Sequence, residues 1–146
     1  MLIGIIGENC SGKSTLAGVL QTEFGAEVVS GRDYLRMAKS ESEAEALFRE
    51  RLRNAVEGSD LIYVISEPEL VGLLPDGAIR ILVHAPLDTI KERFRARMRG
   101  NLPAPVERML EAKHGVFDDG DYDARFDGVN GDAAALCAAL RERRRP

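Results

Sequence analysis

The sequence predicts an α/β protein: a parallel sheet with helices packed on both faces. Three observations carry that prediction. Short apolar runs alternate with longer stretches whose apolar residues recur at helical spacing. The apolar runs are continuous or nearly so, as strands buried on both faces require. The first run leads straight into Gly7-Glu8-Asn9-Cys10-Ser11-Gly12-Lys13-Ser14 and then a helical pattern, so strand, glycine turn and helix follow without a linker.

In chain order, the strands are expected at Leu2–Ile6, Glu27–Ser30, Leu61–Ile65 and Ile79–His84, with a weaker fifth around 125–129. Helical spacing is carried by Leu16, Val19 and Leu20 after the first strand, and by Phe48, Leu52 and Val56 before the third. Leu87, Ile90, Phe94 and Met98 carry it after the fourth, and Leu136, Cys137 and Leu140 near the end. The stretch 100–120, with its prolines and glycines, reads as irregular and mobile. No internal repeat interrupts this order.

A chain of 146 residues is expected to form one domain, 1–146. It is 45% hydrophobic and 30% charged, with a mean hydropathy of −0.18, too apolar for a disordered chain and too polar for a membrane one. Twenty basic against 24 acidic residues leave a net charge of −4, so no global positive field invites nucleic acid. The opening apolar run ends at Ile6, far short of the roughly 20 residues that span a bilayer. Cys10 and Cys137 form neither a metal cluster nor a disulfide framework, which points to a reducing, cytoplasmic setting. A monomer or weak dimer is expected.

The segment from Gly7 to Ser14 satisfies G-x-x-x-x-G-K-[ST] at every fixed position and is a P-loop. Gly7 and Gly12 let the backbone curl, so that the N–H groups of Asn9, Cys10 and Ser11 turn inward, and the following helix, with Ser14 and Thr15 in its first turn, adds its positive end. Such a loop holds polyphosphate, and ATP is the expected donor. Lys13 reaches the β- and γ-phosphates as a point charge, and the Ser14 hydroxyl is placed for Mg²⁺. Cys10 contributes its backbone, and its thiol is given no catalytic role.

The second strand leads into Ser30-Gly31-Arg32-Asp33-Tyr34-Leu35-Arg36, a polar turn and a helix with Asp33 and Arg36 on one face. Strand carboxyl ends line the ligand crevice of open α/β sheets, so this turn is expected to face the P-loop. After the third strand comes Ser66-Glu67-Pro68-Glu69, and Glu67 is the candidate carboxylate for metal-bound water and for the acceptor. The stretch 122–132 before the last helix contains a polar turn in which Asp132 reads as capping that helix.

These segments resemble the nucleoside monophosphate kinase branch of P-loop kinases, the adenylate and cytidylate kinase relatives. The match at Ser30, Asp33, Leu35 and Arg36 implies that Arg36 contacts an acceptor monophosphate, for which a guanidinium fork is suited. Arg93 and Arg97 match the two arginines, spaced i, i+4, with which the family enters its lid, one over the donor base and one on the phosphates. The stretch 122–132 reads equally well, by its likeness to kinases of this group that end in a strand, a short polar turn and a helix, as backing the donor base. The resemblance implies a three-layer P-loop kinase fold with a five-stranded parallel sheet, strand order 2-3-1-4-5. It also implies acceptor-binding helices about 31–57, a short lid about 97–120, and Mg²⁺-dependent transfer from ATP to a nucleoside monophosphate of the AMP or CMP type. The chain departs from the family after the third strand, where Asp-Gly-x-x-Arg is replaced and no arginine follows Glu67. In small-metabolite kinases of the same fold, like shikimate and gluconate kinases, an aspartate after the second strand meets an acceptor hydroxyl, and Asp33 is then the candidate base. A nucleotide-binding regulator that has lost the chemistry is a third reading.

Overall fold

Side chains alternate along a strand, so β1 (Leu2–Ile6) sends Leu2 and Ile6 to one face of the sheet and Ile3 and Ile5 to the other. All four are buried, in two different clusters, which makes β1 a central strand. In the computed structural model, which describes residues 1–144, β1 pairs in parallel with β3 (Leu61–Ile65) on one side and β4 (Ile79–His84) on the other. Adding β2 (Glu27–Ser30) and β5 (Ala124–Asp127) gives five strands in the order β2-β3-β1-β4-β5. The sheet, its parallel sense and its order are those expected.

Helices α1 (Lys13–Phe24) and α5 (Ala133–Arg144) cover one face, where Leu16, Leu20, Cys137 and Leu140 pack on Ile3, Ile5 and Ile81. Helix α2 (Glu41–Glu57) covers the other through Ala44, Phe48 and Leu52, and its first turn is closed by Ser40 Oγ accepting from Glu43 N. Phe48 stacks on Tyr34 with centroids 4.9 Å apart and meets Tyr63 edge-on at the same distance. Tyr63 Oη then donates to Gly31 O at 2.8 Å, which ties the turn after β2 to the sheet, and burial pushes this phenol up, so that it stays a donor. Helices α3 (Leu87–Arg97) and α4 (Ala104–Lys113) flank the P-loop, joined by Lys91 Nζ donating to Glu107 and Glu111.

Several elements differ from expectation. Strand β2 is half-exposed rather than buried on both faces, because the strand order leaves it at an edge with one partner. The fifth strand begins and ends earlier than 125–129, since Asp127 Oδ1 accepts from Val129 N and Asn130 N and turns the chain there. The segment after β2 is a 3₁₀ helix, Asp33–Met37. Val19 and Met98 are exposed; Met98 already lies past the end of α3, and Val19 borders a cleft. The stretch 100–120, read as irregular, contains α4; Pro105 stands in its first turn, where a missing N–H breaks no helical bond. The sequence sets Arg141, Arg143, Arg144 and Arg145 at the negative end of the last helix; there Arg141 pairs with Glu23, Arg143 with Asp123 and Arg144 with Asp60, and Arg145 lies outside the described residues.

Candidate active site

The P-loop curls at the carboxyl end of β1. Cys10 and Gly12 adopt the left-handed region, with φ of 64° and 113°, and Gly12 leads into the first turn of α1. A side chain at Gly7 would run into the Val83 carbonyl and the Ser11 hydroxyl, so only glycine lets the loop lie this close to β4. Ser11 Oγ is buried and has no hydrogen-bond partner among the described residues. Lys13 is 5% exposed; its Nζ donates to the Glu8 carbonyl at 2.5 Å, and no carboxylate pairs with it among the described residues. Burial, with a smaller push from Arg97 and against the opposing effect of Glu8, lowers its ammonium to about 8.

A cleft of about 780 Å³ opens in front of this loop. Asn9, Cys10 and Gly12 to Thr15 border it from the P-loop side, Arg32 and Asp33 from the turn after β2, and Ser66 and Glu67 from the end of β3. Arg93 and Arg97 border it from α3, and Phe126 to Val129 from the end of β5 and the turn that follows it. Thus Asp33, Glu67, Arg93, Arg97, Lys13 and Ser14 share one cleft, although they come from four places in the chain. Gly7 and Ser11 of the P-loop do not border it.

Arg36 is exposed and outside the cleft. A 3₁₀ helix has three residues per turn, so Asp33 and Arg36 do share a face, but Arg36 stands a full turn, about 6 Å, further along the axis. The guanidinium that does reach the cleft from this segment is Arg32, which sequence reasoning passed over. Its Nε and Nη2 donate to Glu67 Oε2 at 3.1 and 2.8 Å, and Nη2 reaches Glu69 at 3.5 Å. The arginine missing after β3 is therefore matched by one from β2, facing Glu67 across the sheet edge.

Arg93 is engaged with backbone: it donates to the Cys10 carbonyl at 3.1 Å and to the Gly128 carbonyl at 2.8 Å, clamping the P-loop to the turn after β5. A Cβ at Gly128 would overlap the Ser11 carbonyl. Gly128→Ala is expected to destabilise the protein by about 1–3 kcal/mol in urea unfolding. Gly18→Ala, on a helix surface with nothing within 4 Å, should leave stability unchanged or raise it. Two further contacts were not foreseen. The Glu8 carboxylate accepts from Gly115 N at 3.2 Å and bonds His114 Nδ1 at 3.0 Å, which ties the loop to the end of α4. Asp127, whose carboxyl the Val129 and Asn130 N–H groups hold below the usual range, shapes a cleft wall; the glycines around it were its signal. Asp132 caps α5 as read, its Oδ1 accepting from Ala135 N at 3.0 Å.

No protein-family profile and no curated protein matches the chain in sequence. Solved structures do match in fold. The YorR protein of Bacillus subtilis, in complex with phosphorylated GDP, is 18% identical, covering 98% of this chain and 95% of its own, with a TM-score of 0.65. A gluconokinase from Sinorhizobium meliloti is 16% identical over 97% and 93%, TM-score 0.63. The shikimate kinase of Acinetobacter baumannii, solved with shikimate, is 17% identical over 97% and 91%, TM-score 0.63. At these identities the likeness establishes the fold alone, a three-layer α/β fold around a five-stranded parallel sheet. Among the described residues no helix is long and apolar enough to cross a membrane.

Proposed function

We propose that the chain is a phosphotransferase that moves the γ-phosphoryl group of ATP to a hydroxyl of a small molecule. The observation that carries this is Lys13, a buried ammonium that borders the cleft and has no carboxylate partner among the described residues. A desolvated cation of this kind is electrostatically incomplete until an anion arrives, and the inward-turned P-loop suits that anion to be a polyphosphate. Arg97 adds charge from the α3 side, while Arg93, by clamping Cys10 and Gly128, holds the loop and the opposite wall at a set separation.

Ser14 and Glu67 border the same cleft and are the residues that would hold Mg²⁺. Among the described residues no three His, Cys, Asp or Glu side chains gather as a metal cage, a donor set that fits an ion taking most of its ligands from phosphate and water. Bound there, Mg²⁺ would neutralise charge on the transferring phosphoryl group. Asp33 faces the cleft from the β2 side and is the candidate base: its carboxylate takes the hydroxyl proton as the acceptor oxygen bonds to phosphorus and ADP departs. The gluconokinase and shikimate kinase relatives support this class of acceptor.

A nucleoside monophosphate acceptor is the second reading, favoured by the match from Ser30 to Arg36 and by the nucleotide carried by the YorR protein. Against it, Arg36 stands outside the cleft. Production of ADP from Mg·ATP, with AMP, CMP, UMP, GMP, shikimate, gluconate and simple polyols as acceptors and Lys13→Ala as blank, separates the two. Turnover with an alcohol supports the proposal, turnover with one monophosphate alone replaces it, and ATP binding with no acceptor used would make the chain a nucleotide sensor.

A further inference from the structure

A second cavity, of about 490 Å³, lies between the P-loop, the end of β3 and the C-terminal half of α4 with the turns that follow it. Asn9, Ser66 and Glu67 border both this cavity and the phosphate cleft, so a molecule seated in it has its near end at the mouth of the P-loop. Nothing in the donor's phosphate chemistry uses this space. It is of a size that takes a small organic ligand.

The carboxylates that border it are paired with groups outside its lining. Glu67 and Glu69 hold Arg32, and Glu8 holds the Gly115 N–H and His114. Lys113 is exposed, where water screens its charge. The groups left to meet a ligand are of two kinds. Asn9 and Ser66 offer an amide and a hydroxyl at the boundary with the phosphate cleft. On the other side Val116, 50% exposed, presents an apolar surface backed by the buried Leu110 and Phe117. That surface is ordered: Val116 N donates to the Lys113 carbonyl, Asp118 N to that of Gly115, and Tyr122 Oη holds the Phe117 carbonyl at 2.6 Å.

We infer that this cavity holds the body of the phosphoryl acceptor, and that the acceptor is an uncharged alcohol with an apolar ring or chain face. The inference rests on the phosphotransferase reading and narrows it. An anionic acceptor would meet the carboxylates of Glu8, Glu67 and Glu69 with a solvent-screened lysine to offset them, whereas an uncharged one covers Val116 and gives its hydroxyl to the Asn9 and Ser66 side.

Matched acceptor pairs test it: methyl shikimate against shikimate, a methyl glycoside against the corresponding uronic acid, and uridine and cytidine against their 5′-monophosphates, each with Mg·ATP. The uncharged member is expected to show at least a tenfold higher kcat/KM. Val116→Asp should raise KM for that acceptor tenfold or more with KM for Mg·ATP unmoved, and Val116→Ile should retain the wild-type value. Turnover confined to shikimate or the uronic acid, or equal shifts of both KM values in Val116→Asp, would overturn the inference and leave the hydroxyl-acceptor reading standing, whereas turnover confined to a 5′-monophosphate would overturn both. Mg·ATP binding with no member of any pair phosphorylated would overturn that reading, and the inference with it.

Discussion

Lys13→Ala is expected to lower phosphoryl transfer by about 10²- to 10³-fold, the cost of removing one preorganised charge from the transferring group. It should not unfold the protein. In the folded chain the ammonium is brought down to about 8 from 10.5, mainly by burial, so the unfolded chain binds the extra proton between these values. Stability then rises with pH from about 8 to 10.5, and below about 8 the full penalty, on the order of 3 kcal/mol, is present. Alanine removes that penalty, so its Tm at pH 7 should equal or exceed the wild-type value, and the rise above pH 8 should vanish. A polyphosphate reverses the balance by favouring the charged form. Donor binding should therefore take up protons above about pH 8, with affinity falling as pH climbs, which calorimetry in buffers of different ionisation enthalpy would read. A Lys13→Ala protein that transfers phosphate normally would sink the assignment.

The second large effect is expected at Asp33. If its carboxylate takes the proton of an alcohol, Asp33→Asn, which keeps the shape and loses the base, should lower kcat by about 10²- to 10⁴-fold with little change in KM for ATP. Asp33 is exposed at the cleft edge, so folding should be unaffected. A loss of only a few fold would reassign Asp33 to orientation, because an already anionic phosphate acceptor needs no base. The Asn variant is thus read together with the acceptor panel, and agreement of the two identifies the acceptor class.

Arg32 shows how the site escapes local reading. Arg32 and Arg36 are equally plausible in sequence, both near Asp33 in a polar turn. The choice between them follows from how the 3₁₀ helix is seated, which Tyr63 and the Tyr34–Phe48 stack decide from β3 and α2. Its partner Glu67 lies 35 residues away, and the Glu8–His114 contact spans 106. No pattern of spacing encodes such pairs. They exist because β2 and β3 are neighbours in the sheet and because α4 packs beside the P-loop.

What local chemistry alone determines is considerable. Continuous apolar runs mark β1, β3 and β4 because a strand covered on both faces must be apolar throughout, and the glycine-lysine motif marks the P-loop because few other residues allow that backbone. Helix α4 was hidden because its prolines speak for a loop until their place in its first turn is known. The half-exposure of β2, the clamp of Arg93 on two carbonyls and the second cavity beneath α4 all depend on which elements end up adjacent. Sequence periodicity reports which face of a segment avoids water; adjacency is a property of the assembled sheet, and long-range packing sets it.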